Sequence, residues 1–322
     1  MRAAVVLALV AVVTFVVGLG LGEFPIGPLE VAATLLGLRE GGASFVVLQL
    51  RLPRALVAVL VGVALGVAGG LFQSLTRNDL AAPEIIGVAA GANVAAVVVI
   101  VALPAMPVAA LPLAAFGGAL TAVALVYALA WRGGAAPTRL ILVGIAVTLV
   151  GQAIVTAVIS SVDELVYASQ LVVFRAGSVY GKGMDEVLAL TPWVGVLVPA
   201  ALLAARQLDV LALGDDVARG LGARVERLRL GLLAVGAALA GAAVAVAGPV
   251  SFVGLMAPHI ARRLAGVTHR AHLPLCALVG ATMVLVADTL ARTAFTPTDI
   301  PVGIVTAVVG VPYFVWLLAR RQ

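Results

Sequence analysis

The chain has 322 residues, of which 63% are hydrophobic and 11% charged, and its net charge is +5. Soluble domains carry about 25% charged residues, so this balance excludes an ordinary soluble protein and predicts a polytopic membrane protein. The arginines are scattered singly along the chain, which argues against a nucleic-acid-binding surface. Cys276 is the only cysteine, so an intrachain disulfide is excluded.

A membrane-spanning helix needs about 20 mainly apolar residues. We predict an all-α fold with one transmembrane domain over residues 1–322 and about ten spans. The predicted spans are 3–22, 55–76, 86–104, 109–131, 139–161, 187–205, 229–248, 252–265, 273–291 and 301–319. The eighth is short and follows a break at Gly248-Pro249, which is tolerated where protein or a cavity satisfies the freed backbone groups.

The distribution of positive charge predicts the orientation. With both termini in the cytoplasm, 14 of the 20 Lys and Arg residues lie inside and 6 lie outside. Inner loops of membrane proteins carry the excess of positive residues, so we predict a multi-pass protein of the plasma (inner) membrane with cytoplasmic termini. This orientation places Arg51, Arg54 and Arg292 on the outer side and residues 208–228 in the cytoplasm.

Small and polar residues recur at helical spacing in two spans. Gly62, Gly66 and Gly70 share one face of the second span, which favours close helix packing over a direct substrate role. The fifth span carries a polar stripe, formed by Thr148, Gln152, Thr156 and Ser160. The stripe either bonds to a neighbouring helix or lines an aqueous pathway, and the sequence leaves both alternatives open.

Residues 208–228 form the longest charged interval in the chain. Asp215 and Asp216 follow Gly214 and are favourable helix N-caps. Val217, Ala218 and Leu221 then share one face.

Gly222 is a natural C-terminal stop for that helix, and Ala223–Leu228 has the pattern of a second short helix. We therefore expect two short helices joined at Gly222. Their apolar face needs a cover, either from the protein's own inner surface or from a soluble partner.

No catalytic or metal constellation is visible. His269 and His272 are expected in a solvated loop, and His259 is expected to pack or form a hydrogen bond. Asp288 and Arg292 are four residues apart and predict a pair at a helix end. An ion-coupled secondary transporter would need intramembrane acids, for which Asp288 is the lone candidate.

Several motifs occur together between about Ile26 and the C-terminus. They are Arg51-Leu52-Pro53-Arg54, the turn Asn78-Asp79-Leu80-Ala81-Ala82-Pro83-Glu84-Ile85-Ile86-Gly87, Leu213-Gly214-Asp215-Asp216-Val217-Ala218 with Leu221-Gly222, Gly248-Pro249-Val250-Ser251-Phe252-Val253-Gly254-Leu255, and Ile300-Pro301-Val302-Gly303. With them the chain resembles the permease subunits of iron-siderophore, haem and cobalamin ATP-binding-cassette (ABC) importers. It departs from that family at Asp79, where proline is usual, and at Phe174, where tryptophan is common.

The resemblance implies a permease that is not an enzyme and binds no cofactor or metal. Two permease subunits, identical or sister chains, would pair in the lipid bilayer, and two cytoplasmic ATPases would bind ATP and Mg²⁺. The implied ATPase contacts lie in the coupling loop, residues 208–228, at Leu213, Gly214, Asp215, Asp216, Ala218, Leu221 and Gly222. An extracytoplasmic binding protein would dock on Arg51, Arg54 and Arg292, unless these are interfacial arginines that only reach toward water. Ferric siderophores are the closest substrate class, with haem and cobalamin as alternatives.

Overall fold

A computed structural model describes residues 2–39, 41–102, 110–131, 137–161, 173–266, 268–294 and 299–319. Its regular elements in these ranges are helices. They are α1 Arg2–Gly20, α2 Pro28–Leu35, α3 Gly42–Phe45, α4 Leu52–Thr76, α5 Val88–Val97, α6 Ala110–Ala130, α7 Pro137–Ser160, α8 Met184–Leu203, α9 Ala205–Ala212, α10 Asp215–Gly220, α11 Val225–Ala247, α12 Val253–Ala265, α13 His269–Thr293 and α14 Val302–Ala319. Two π-helical stretches, Val46–Arg51 and Val98–Ala102, precede α4 and extend α5.

The long helices form a buried centre and an exposed periphery. Helices α4 and α11 each have an apolar window that is 78% buried, and the window of α13 is 61% buried. The windows of α7 and α8 are only 17% and 22% buried. Six helices in the described ranges are long and apolar enough to cross a membrane, and three more apolar helices are shorter. The all-helical fold is as predicted, and the count of ten spans stays a prediction.

Helices α4 and α13 approach each other through small residues. A Cβ atom added at Gly62 would lie 2.3 Å from the carbonyl oxygen of Gly280, and one at Gly66 would lie 2.2 Å from that of Cys276. One at Gly70 would lie 3.1 Å from the Cys276 sulfur. At Gly62 and Gly66 the backbones of α4 and α13 therefore approach to a distance that no larger residue permits.

Two features of residues 205–247 differ from the expectation. The predicted second short helix, Ala223–Leu228, is wrong: Val225 begins α11, which continues without interruption to Ala247. No glycine or proline lies at the junction between this segment and the predicted span 229–248, so the two form one helix, and Arg229 is buried in it. Upstream, α9 occupies Ala205–Ala212, so the coupling loop starts inside a helix. The predicted break after Ala247 is present, because α12 begins only at Val253.

Candidate functional site

Arg51 ties the C-terminal end of α1 to the start of α4. It ends the π-helical stretch before α4 and is 8% exposed. Its Nη1 donates to the carbonyl oxygens of Leu19 at 2.9 Å and Gly20 at 3.0 Å, and its Nη2 donates to that of Phe24 at 2.7 Å. Among the residues that the structure describes, it pairs with no carboxylate. Its positive charge is therefore satisfied by backbone dipoles at the end of α1.

Arg54, one turn further along, is held by two acids. Its Nε donates to Oδ1 of Asp288 at 2.8 Å. Its Nη2 and Nη1 donate to Oδ1 and Oδ2 of Asp299 at 3.1 Å and 3.4 Å. The Asp288 side chain is 3% exposed and that of Asp299 is 27% exposed. The Tyr180 ring covers one face of the guanidinium, with Cζ 5.5 Å from the ring centroid.

Arg292 completes a cluster with Arg51 and Arg54, which we call the outer cluster because the charge distribution predicts that all three lie outside. Its Nη2 donates to the carbonyl oxygen of Gly18, and its Nη1 donates to that of Leu21 at 3.2 Å. The predicted pair with Asp288 exists at 3.8 Å, but Arg54 is the closer partner of that acid. The three arginines that the sequence placed outside thus line a single cavity of 610 Å³, with Asp299 in its wall.

For helix α10, the predicted start is wrong and the predicted end is correct. The expectation that Asp215 and Asp216 cap it is wrong, because Gly214 holds the N-cap position and no side chain caps the helix. The predicted stop is present: Gly222 has φ +83°, its N–H donates to Arg219 O, and the next N–H donates to Ala218 O. This pair of bonds closes the helix as a Schellman motif.

Asp215 anchors α10 to two membrane helices instead of capping it. Both carboxylate oxygens accept from Arg229 Nη2 in α11 at 2.9 Å, and Arg77 at the end of α4 donates to Oδ1. Arg77 also donates to the carbonyl oxygen of Leu211 in α9 at 2.9 Å. Partial burial opposes ionisation of Asp215, but the bonds from Arg229 and Arg77 outweigh it and lower the pKa of the carboxyl.

One face of the α10 region is apolar and open. Leu213, Val217 and Leu221 follow one another at intervals of four and are 60%, 52% and 64% exposed. We call them the α10 apolar face. Ala218, which was predicted to share this face, is instead fully buried, and the Asp216 side chain is fully exposed. The protein's own inner surface therefore covers Ala218 but leaves the apolar face uncovered.

His269 and His272 do not lie in a solvated loop, so that expectation is wrong. They are 7% and 2% exposed. His269 Nδ1 lies 2.6 Å from Asp209 Oδ1 in α9, and its Nε2 lies 2.8 Å from the hydroxyl of Ser74 in α4. The Ser74 hydroxyl donates to the carbonyl oxygen of Gly70 at 2.6 Å, so it cannot also give its proton to the imidazole.

This Ser-His-Asp chain consequently is a connector and not a nucleophile with its base. It joins α9 to the ends of α4 and α13. Partial burial raises the pKa of Asp209, but the bonds from the backbone and ring of His269 reverse this and leave it lowered. Its members are 60 and 195 residues apart, and no local pattern in the sequence signals them.

The polar stripe of the fifth predicted span lies on α7, and we call it the α7 stripe; its residues divide between two environments. Thr148 Oγ1 is partly buried and donates to the carbonyl oxygen of Glu84 at 3.3 Å. Gln152, Thr156 and Ser160 are exposed, and Ser160 Oγ donates within the helix to the Thr156 carbonyl oxygen at 2.9 Å. Bonding to a neighbouring segment of this chain therefore accounts for Thr148, and the other three residues are exposed on the surface of the chain.

Asp79, which stands where the resembled family usually has proline, forms an ion pair with Arg262. Asp79 accepts from Arg262 Nη1 and so joins the turn after α4 to α12. In the turn itself, Asn78 Oδ1 accepts from the Leu80 N–H at 2.9 Å. Within the described ranges, no group of three or more His, Cys, Asp or Glu residues is arranged to hold a metal ion.

Comparison with known proteins places this geometry in context. A model of the FecCD transport family matches residues 9–320. The Fe(3+)-citrate import system permease protein YfmE of Bacillus subtilis is 41% identical over 99% of this chain and 96% of its own length. The achromobactin transport system permease protein CbrC of Dickeya dadantii is 42% identical over 98% and 90%. A solved structure described as a metal-chelate type ABC transporter, in an inward-facing conformation, matches with a TM-score of 0.89 and 27% identity over 99% of both chains.

Proposed function

This chain belongs to the FecCD transport family and is the permease subunit of an ABC importer, and we propose that it carries a ferric-siderophore complex into the cytoplasm. It is a transport subunit and not an enzyme, because ATP hydrolysis in this family belongs to a separate subunit. The observation that carries the substrate class is the identity of 41% and 42%, over nearly the whole chain, to permeases named for ferric citrate and achromobactin.

On the cytoplasmic side, we propose that the α10 apolar face docks on the ATPase. Exposed leucine and valine side chains on a short, anchored helix favour a protein partner that covers them. Asp215 and Arg77 link this helix to α4, and the Ser-His-Asp chain links α9 to α4 and α13. Movement of the ATPase, which would bind ATP and Mg²⁺, would thereby reach the buried central helices.

On the other faces, we propose two further partners. The exposed part of the α7 stripe would face a second permease subunit, identical or sister, and line the pathway between the two chains. The cluster of Arg51, Arg54 and Arg292 would receive carboxylates of an extracytoplasmic binding protein. This arrangement requires cytoplasmic termini in the plasma (inner) membrane, as the charge distribution predicts.

Uptake of radioactive iron into cells tests the function. Ferric citrate, a ferric catecholate and a ferric hydroxamate are supplied separately, alongside labelled haem and cobalamin. We expect uptake of one of the ferric complexes, and its loss when the partner ATPase carries an inactivating substitution while the proton gradient stays intact. Continued uptake without ATP hydrolysis would contradict the importer assignment, and uptake of only haem or cobalamin would contradict the substrate class.

A further inference from the structure

The three arginines of the outer cluster are not equivalent. Arg51 and Arg292 give their terminal N–H groups to backbone carbonyl oxygens at the end of α1. A docking partner could take these bonds only by pulling helix ends apart. Arg54 differs because its partners are two carboxylates, those of Asp288 and Asp299. A carboxylate from a docking partner can form the same bonds as either of them and so can take its place.

Only one edge of the Arg54 guanidinium is bound by a carboxylate that a partner's carboxylate could replace. Tyr180 covers a face of the group, and Asp288, almost fully buried, holds its Nε edge at 2.8 Å. The remaining edge, formed by Nη1 and Nη2, faces the cavity, and there it donates to the Asp299 carboxylate. A guanidinium binds a carboxylate best through two parallel N–H bonds in its own plane, and this edge offers that pair.

The bonds to Asp299 are the weaker of the two sets. Their lengths of 3.1 Å and 3.4 Å exceed the 2.8 Å bond to Asp288. Charge-assisted bonds of this kind are typically about 2.7–2.9 Å long. The Asp299 carboxylate is also more than a quarter exposed, so water can solvate it when it leaves. Lys182 and Arg292 line the same cavity and offer positive charge to the displaced acid.

We propose that Asp299 is an internal competitor for the docking site: it occupies the edge of Arg54 that a carboxylate of the binding protein must take. Docking is then an exchange of one carboxylate for another. The inference rests on the proposed function. Because docking must displace Asp299, the net free energy of docking is smaller, and the binding protein dissociates faster. Asp288 has a different role and positions Arg54 without competing.

The test measures docking by the purified, ligand-loaded binding protein that supports uptake through this permease. The complete transporter is held in nanodiscs on a sensor, and association and dissociation rates are recorded. In Asp299→Asn the competing charge is absent, so we expect docking about tenfold tighter, mainly through slower dissociation. Asp299→Glu keeps a competing carboxylate and should stay near wild type.

Asp185→Asn is the matched control, because it removes an acid at the start of α8, exposed and without a contact to Arg54. It should leave the rates unchanged. Arg54→Gln should weaken docking, and adding Asp299→Asn to it should bring no gain. Unchanged or weaker docking in Asp299→Asn would overturn the competitor role while leaving the importer assignment standing. Failure of the wild-type transporter to bind would overturn the docking surface as well.

Discussion

The outer cluster and the α10 region both join helices through Arg-Asp pairs, but they differ in the kind of surface that they expose to water. At the outer end Asp288 is buried under Arg54, and the charges are satisfied inside the protein. At the inner end Asp215 is a partly exposed anchor, and the adjacent α10 apolar face is open. A partner outside must therefore exchange charges, whereas a partner inside must cover apolar side chains.

Removing the buried outer acid should have the largest effect. Asp288→Asn leaves the Arg54 guanidinium partly buried without its closest carboxylate, and breaking a buried pair in this way costs about 3–5 kcal/mol. We expect a marked fall in the thermal unfolding temperature of the detergent-purified permease, followed by intrinsic fluorescence. Asp185→Asn removes an exposed acid and should unfold like the wild type. Equal stability of the two variants would mean that Asp288 does not hold the outer cluster together.

A charge on the inner apolar face should impair transport without affecting the fold. Leu221→Glu places a carboxylate on the α10 apolar face, and a charge buried in an apolar contact should weaken ATPase docking about tenfold. Uptake and transport-coupled ATP hydrolysis should fall together, with the unfolding temperature unchanged. Gln207→Glu adds the same charge to an exposed position of α9 and is the matched control. If both variants transport like the wild type, α10 is not the contact that transmits motion.

The sequence foretold what depends on local pattern. Apolar runs marked the long helices, the four-residue glycine spacing marked the α4 face that meets α13, and Gly222 marked the end of α10. It could not foretell pairings between distant segments. The Arg54–Asp288 pair spans 234 residues and the His269–Ser74 contact spans 195. The prediction that Asp215 caps α10 failed for a related reason. An aspartate at this position can either cap a helix or form an ion pair, and only the fold brings Arg229 close enough for the pair to form.

The smallest effect should come from the inner anchor and should depend on pH. Because the arginines lower the pKa of Asp215 in the folded protein, its contribution to stability is fully present above the ordinary value of about 3.9 and is lost as pH falls through the lower folded value. Asp215→Asn removes this contribution, which we put at about 1 kcal/mol because the carboxylate is only partly buried. Its unfolding temperature should be below that of the wild type at pH 7, and the gap should narrow only as the pH falls well below the ordinary value of about 3.9, because the wild-type carboxyl becomes neutral like the amide once the pH passes its lowered pKa. A gap that persists unchanged at low pH would show that the shape of the side chain, and not its charge, anchors α10 to Arg77 and Arg229.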